Sequence, residues 1–186
     1  VVQQKVGIHS KVISLQLDIE NEIARKELIE TADVVISMMP PHLHYLIALD
    51  CVAFKKHLLT ASYIDENIKT LEKKIDENEL LFLCEMGLDP GIDHMSAMQM
   101  IDEIHRKGGV ITSFKSHCGG LIAPESDDNP WHYKISWNPR NIVMAGKAGA
   151  VYKKNNQIIN KKYQEIFSDN TLVQVSDREK YAWYPN

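Results

Sequence analysis

From residue 11 onward, short apolar runs alternate with segments whose apolar residues recur at helical spacing. Residues 11–17 (KVISLQL), 33–39 (DVVISMM), 57–62 (HLLTAS) and 80–84 (LLFLC) have the length of strands. The run at 33–39 is nearly continuous, as suits a strand covered on both faces. Between these runs the pattern predicts helices. One is capped by Asp18 and extends to about Thr31, with Ile23, Leu28 and Ile29 facing inward. A second begins at Pro41 and buries Leu43, Leu46, Ile47, Cys51 and Phe54. A third spans 65–78, with Ile68, Leu71 and Ile75 in register with Ile64. A fourth places Ile92, Met95, Met98, Ile101 and Ile104 on one stripe and stops at Lys107-Gly108-Gly109. Asp89 is a favoured N-cap for it, Pro90 fits the first helical position, and Asp93 sits in its positive first turn. Residues 110–118 then alternate as in a strand.

Alternation of strand and helix implies a parallel sheet with helices on its faces. The expected fold class is α/β: a partial Rossmann-like parallel sheet followed by part of an α/β substrate domain, with the two parts at 1–88 and 89–186. Such sheets open with a strand, a G-x-G-x-x-G turn and a helix. Gly7 is the single glycine before Gly87, so this sequence holds no such loop, and the start of the domain is expected to lie outside it. The acidic or basic residue that reads the ribose in that motif is missing with it. The character changes after Cys118. Residues 119–134 are polar and aperiodic, and Trp131 and Tyr133 argue against disorder. Asn138-Pro139 repeats the cap-then-proline pattern and predicts a helix to about Tyr152. Asn155-Asn156 reads as a turn, and 157–160 and 172–175 as strands. The sequence stops on aromatic residues (YAWYPN), unlike a solvated tail, so a C-terminal continuation is expected too.

Composition narrows the class. The 186 residues are 44% hydrophobic and 25% charged, which suits a globular protein able to bury a core without disulfides. A net charge of -4 offers no basic face for nucleic acid. No apolar run approaches the ~20 residues of a membrane-spanning helix. Cys51, Cys84 and Cys118 are odd in number and far apart, with no CxxC pair, so thiols and a cytoplasmic location are expected.

Ligands of open α/β sheets bind beyond the carboxyl ends of the strands. Residues 39–44, Ser62-Tyr63 and residues 85–90 all fall at that edge. His42 and His44 form an H-x-H, but at a helix start such residues diverge, and no third ligand is evident, so no metal is expected. Asp93-His94 and Cys118 raise acid–base or nucleophilic chemistry, although spacing does not set their separation and a lone cysteine is more often a small buried hydrophobe. Arg140 suits a carboxylate clamp, or else a solvated first-turn charge.

Residues 87–95 (GLDPGIDHM) and 118–137 (CGGLIAPESDDNPWHYKISW) resemble the saccharopine reductase family, the glutamate-forming saccharopine dehydrogenases of lysine metabolism. The stretch with Ser37 and Pro40, the Thr60-Ala61-Ser62-Tyr63 stretch and the final Tyr184-Pro185-Asn186 follow in family order. The sequence departs from the family at His117 and Ile122, where Tyr and Pro are frequent. The resemblance implies an enzyme using NADP or NAD. It would join glutamate and aminoadipate semialdehyde through an imine and reduce that imine by hydride transfer, or run the reverse, usually as a homodimer. It implies that Tyr63, Asp89 and Cys118 line the pocket as catalytic and substrate-binding residues. Gly119 and Gly120 would form its tight turn, and Pro40 and Ser62 would meet the cofactor. Without the glycine loop, this stretch alone is expected to be inactive. The competing readings are a carboxynorspermidine- or homospermidine-type dehydrogenase on the same scaffold, and a non-catalytic interaction domain that keeps a degenerate nucleotide fold.

Overall fold

The apolar runs at 34–37, 57–60 and 82–83 pair edge to edge as the parallel sheet that the alternation implies. In a computed structural model, which describes residues 7, 11–120, 122–130, 132, 134, 146–147, 149–168, 170–174, 177 and 180–185, the chain divides into two units, Val1–Thr112 and Ser113–Asn186.

In the first unit the order of elements is α1 (Glu22–Glu30), β1 (Val34–Ser37), α2 (His44–Ala53), β2 (His57–Thr60), α3 (Glu66–Lys69), α4 (Glu72–Glu77), β3 (Phe82–Leu83) and α5 (Ile92–Arg106). The strands lie in the order β1-β2-β3, all parallel, with Val35 opposite Leu58 and Leu58 opposite Phe82. Leu58, fully buried at the centre, is surrounded by a core of Ile29, Ile47, Ala48, Cys51, Ile68, Leu71 and Cys84. Burying a side chain of that size contributes about 1.5–3 kcal/mol. A short 3₁₀ turn, Pro41–Leu43, leads into α2 from the proline that the sequence marks as a helix start.

Several expectations are corrected. Residues 11–17 form no strand: Ile13 and Leu15 are exposed, and no ladder partner lies beside them among the described residues. β-propensity expresses packing against neighbouring strands, so without a neighbour it decides nothing. The first helix is capped by Asn21, which accepts from the Ala24 amide at 3.2 Å, while Asp18 holds a preceding turn by accepting from the Glu20 amide at 3.0 Å. Its inner face is set by Arg25 and Ile29, and Ile23 points out. Arg25 is buried because its guanidinium meets Asp50 of α2 at 2.6 Å and the Ile19 carbonyl at 2.7 Å, an arrangement invisible to apolar periodicity. The expected helix at 65–78 splits in two. Asp65 caps the first piece, accepting from the Ile68 amide at 2.8 Å. Thr70 then turns its hydroxyl onto the Asn67 carbonyl at 2.6 Å, the local competition with the helix that Thr favours. Residues 110–118 form no strand and pair with no ladder among the described residues, and Val110 and Phe114 are exposed.

The second unit holds a 3₁₀ turn (Pro124–Ser126), β4 (Ala150–Lys154), β5 (Gln157–Lys161), α6 (Tyr163–Ile166), β6 (Thr171–Gln174) and β7 (Lys180–Trp183). β4 pairs with β5 and β6 with β7, both antiparallel. The expected helix from Asn138 is overturned at its end, where Ala150–Lys154 is a strand; residues 138–145, Arg140 among them, lie outside the described residues. The reason is Asn155-Asn156, whose φ values of 50° and 64° make the primed turn that joins two antiparallel strands. Gly149 starts this hairpin at φ +82°, where a Cβ would come within 2.4 Å of the Lys161 carbonyl. Ile166 and Ala150 are buried, Phe167 packs on Tyr184 with ring centres 4.7 Å apart, and His117 stands edge-on to Trp183 at 5.2 Å.

Candidate functional site

The carboxyl ends of β1, β2 and β3 release three loops at one edge of the sheet, the edge where open α/β sheets hold their ligands. The loops are tied to one another by backbone. The Glu85 amide donates to the Ser62 carbonyl at 3.0 Å, and the Met86 amide to the Thr60 carbonyl at 3.1 Å. The Ile64 amide reaches the Glu85 carboxylate at 3.4 Å. Chain segments more than 20 residues apart are thereby held in register where the strands end.

The turn after β3 closes on itself. The Gly87 amide donates to the Pro90 carbonyl at 2.9 Å, and the Ile92 amide to the Gly87 carbonyl at 2.9 Å. Asp89-Pro90 is a cis peptide bond. Gly91, at φ +147°, is required by space as well as by conformation: a Cβ there would sit 2.2 Å from the Gly87 carbonyl oxygen. The helix α5 starts at Ile92 with Gly91 at its cap position, not with Asp89 capping and Pro90 first. Asp93 Oδ1 instead accepts from the Gly91 amide at 3.0 Å. This correction leaves Asp89 with no capping duty. Its carboxylate accepts from the Tyr63 hydroxyl at 3.3 Å, across the 26 residues that separate them in sequence.

The electrostatics of the edge are anionic. Loss of solvent, reinforced by the charge of Asp89 and its hydrogen bond, pushes the Tyr63 phenol up. Partial desolvation pushes the Asp93 carboxyl up, but hydrogen bonds from His94 and from the Gly91 amide prevail and hold it below the usual carboxylate range. His94, 2.7 Å from Asp93, is raised by that bond and charge. Ligand atoms of Asp89, Asp93 and His94 lie within 4.8 Å of one another. Two carboxylates and one imidazole, with a phenol beside them, suit a small cationic group and the delivery or removal of its protons.

Behind this edge lies a polar network that sequence reasoning missed. His44, weighed there only as a metal ligand, is 4% exposed; Nδ1 is 2.8 Å from Ser37 Oγ and Nε2 is 2.7 Å from Ser62 Oγ. Burial pulls the imidazole below its ordinary value, against a smaller opposing pull from Asp65. The signal that could have revealed it is a serine closing the apolar run at 34–37 and a Thr–Ser pair closing the next.

The cysteines take no part in disulfides. Burial, with Asp50 beside it, pushes the Cys51 thiol up to about 12, and burial next to Glu85 and Asp65 raises Cys84, so neither supplies a thiolate. Cys118 is exposed and, like Gly119 and Gly120, belongs to the second unit. Tyr63, Asp89, Ser62 and Pro40 share the sheet edge of the first.

A parallel sheet whose loops gather at one carboxyl edge, followed by a second unit, defines the class: an α/β protein of the dinucleotide-fold type. Two family models match the chain, the saccharopine dehydrogenase NADP binding domain over residues 2–83 and the saccharopine dehydrogenase C-terminal domain over residues 87–186. The chain belongs to the saccharopine dehydrogenase family. It is 39% identical over 179 residues to an alpha-aminoadipic semialdehyde synthase of Arabidopsis thaliana, covering 95% of this chain and 17% of that protein. It is 37% identical over 177 residues to a saccharopine dehydrogenase (NADP+, L-glutamate-forming) of Saccharomyces cerevisiae, covering 95% of this chain and 39% of that one. The solved structure of the apo L-Glu-forming saccharopine dehydrogenase of S. cerevisiae matches with a TM-score of 0.79 at 35% identity, over 92% of this chain and 39% of that chain. The chain thus spans between 17% and 39% of the length of these relatives. Matches to both parts of the family leave the polyamine-forming and non-catalytic readings without support.

Proposed function

We propose that the complete protein is an NADP-dependent, L-glutamate-forming saccharopine dehydrogenase. The observation that carries this reading is the Tyr63–Asp89 pair at the carboxyl edge of the parallel sheet, within a chain matched by both family models. The chemistry required is interconversion of a secondary amine and an imine. Toward saccharopine, glutamate's amine adds to the aldehyde carbon, water leaves, the imine nitrogen takes a proton, and a hydride adds to the carbon of that protonated imine as its C=N π pair becomes the nitrogen lone pair. Toward lysine breakdown the same steps run backward.

The residues present fit the substrate-facing half of a dinucleotide site. Pro40 and Met38 are exposed in the loop that leaves β1, at the same sheet edge as Ser62, while no glycine lies between Gly7 and Gly87 to cradle a pyrophosphate. When bound, the nicotinamide supplies or takes the hydride. This chain's residues do the rest. Asp89 opposes the positive charge of the protonated imine. Tyr63, hydrogen-bonded to Asp89, and Cys118 exchange protons with the nitrogen and the departing water. Gly119 and Gly120 shape the turn after Cys118, and Pro40 and Ser62 face the cofactor. Residues 1–88 serve the cofactor and 89–186 the substrate. We further propose a homodimer in the cytoplasm, where reduced thiols such as Cys51, Cys84 and Cys118 persist. Among the described residues no helix is long and apolar enough to cross a membrane.

The test is turnover by the complete protein. Saccharopine with NADP+ should yield glutamate and aminoadipate semialdehyde, with weaker use of NAD+, and residues 1–186 alone should be inactive. Absence of saccharopine turnover with NADP+ overturns the proposal.

A further inference from the structure

The buried network around His44 does more than fill space. His44 is the first residue of α2, yet its ring lies between the ends of two strands. Nδ1 meets Ser37 Oγ, at the last position of β1, at 2.8 Å, and Nε2 meets Ser62 Oγ, two residues past β2, at 2.7 Å. Thr60 Oγ1, the last side chain of β2, is 3.3 Å from Nε2 and accepts from the Ser62 amide at 3.2 Å. Ser37 and Thr60 are 2% and 4% exposed. A neutral imidazole has one donor and one acceptor nitrogen, and a hydroxyl serves either, so the chain Ser37–His44–Ser62 is satisfied whichever tautomer is present. Among the described residues no buried side-chain nitrogen or oxygen is left without a partner.

The placement has a mechanical consequence. Residues 38–43, which include exposed Met38 and Pro40, run from Ser37 to His44. One imidazole therefore clamps both ends of that loop together and fastens them to Ser62 in the neighbouring loop. The α2 terminus has no side-chain cap of its own.

We propose that His44 is a positioning residue for the nicotinamide cofactor: it touches no reactant, but sets Ser62 and the 38–43 loop in the arrangement that receives it. This rests on the functional reading above. The effect passes through Ser62, and Ser37, buried behind the loop, acts only by anchoring the ring.

The two nitrogens can be separated experimentally. A glutamine places its amide near the position of Nε2 and keeps the link to Ser62. An asparagine places its amide near Nδ1 and keeps only the link to Ser37. In the complete protein, NADPH binding is measured by fluorescence titration and stability by thermal melting. His44→Gln should bind NADPH within about 3-fold of the parent, and His44→Asn about 10-fold more weakly, the scale of one hydrogen bond. Both should lower the melting temperature. Ser62→Ala should match the His44→Asn loss, and the double variant should bind no worse than either single one, because both remove the same link. Ser37→Ala, gentle enough to fold if the His44 variants do not, should weaken NADPH binding although Ser37 cannot touch the cofactor.

Equal NADPH affinity in all four single variants, with only melting temperatures reduced, would make the network purely structural and overturn the proposal. So would His44→Gln binding as weakly as His44→Asn, or unchanged affinity in Ser37→Ala. A parent protein that turns over saccharopine yet shows this pattern leaves the functional reading standing; a parent that binds no NADPH defeats both.

Discussion

Replacing Asp89 with Asn isolates charge from shape at the candidate site. The substitution is close to isosteric, and the amide oxygen can still accept from Tyr63 at the 3.3 Å position held by the carboxylate. Because α5 is headed by Gly91 without a side-chain cap, no helix cap is lost. Stability should therefore change by no more than about 0.5 kcal/mol. What disappears, on the proposed function, is the charge opposing a cationic imine. At roughly 4 Å and an effective dielectric near 20, that attraction amounts to about 4 kcal/mol. Asp89 and Tyr63 are exposed, so solvent screens the pair, and roughly 2–3 kcal/mol is expected to remain. At about 1.4 kcal/mol per decade this is a ~10²-fold loss of turnover. The assay is steady-state oxidation of saccharopine by the complete protein, with NADPH affinity and melting temperature measured alongside. Turnover should fall while cofactor affinity and melting temperature hold. Full activity in Asp89→Asn would refute the argument, and a large loss of stability would show that Asp89 has a structural duty the geometry does not reveal.

Asp50→Asn should destabilise the first unit by about 3–5 kcal/mol in a urea melt, because it leaves the Arg25 guanidinium buried without its countercharge; a loss under about 1 kcal/mol would contradict the burial of that pair. Gly91→Ala should cost about 2 kcal/mol or more and depress turnover together with stability, since the new Cβ meets the Gly87 carbonyl and must shift the turn carrying Asp89; near-parental melting and kinetics would refute this. The folded-state value of His44 lies below the unfolded one, so the unfolded chain binds more protons between the two values. The stability contributed by the neutral ring is then present above the ordinary value of about 6.5 and is lost as pH falls toward the depressed one, with Asp65 the charge that opposes the shift. His94 slopes the other way, its raised value giving stability that fades as pH rises through it. Urea melts from about pH 7.5 to about pH 5 should show the acid-side loss shrink in His44→Gln, and an unchanged slope would count against a buried neutral His44.

The chain's own pattern determined the elements that need only local information. Pro41 starts the turn into α2, Lys107-Gly108-Gly109 ends α5, and Asn155-Asn156 closes a hairpin. These outcomes depend on φ preferences and on capping groups a few residues away. The parallel order of β1, β2 and β3 was also legible, because alternating strands and helices leave few ways to bury both. Segments whose fate depends on distant partners were misjudged. Residues 11–17 and 110–118 carry strand-like patterns but pair with no ladder among the described residues, and residues 150–152 joined a hairpin despite following a helix signal. Arg25 faces inward because Asp50 waits 25 residues away. The candidate site divides in the same manner. Spacing identified the three loops at the sheet edge, and family resemblance named Tyr63 and Asp89. Tertiary structure alone released Asp89 from capping, brought it to Tyr63, and threaded His44 between Ser37 and Ser62. Caps and turns are short-range and can be read residue by residue, whereas a hydrogen bond between side chains far apart in sequence exists only once the backbone has closed that distance.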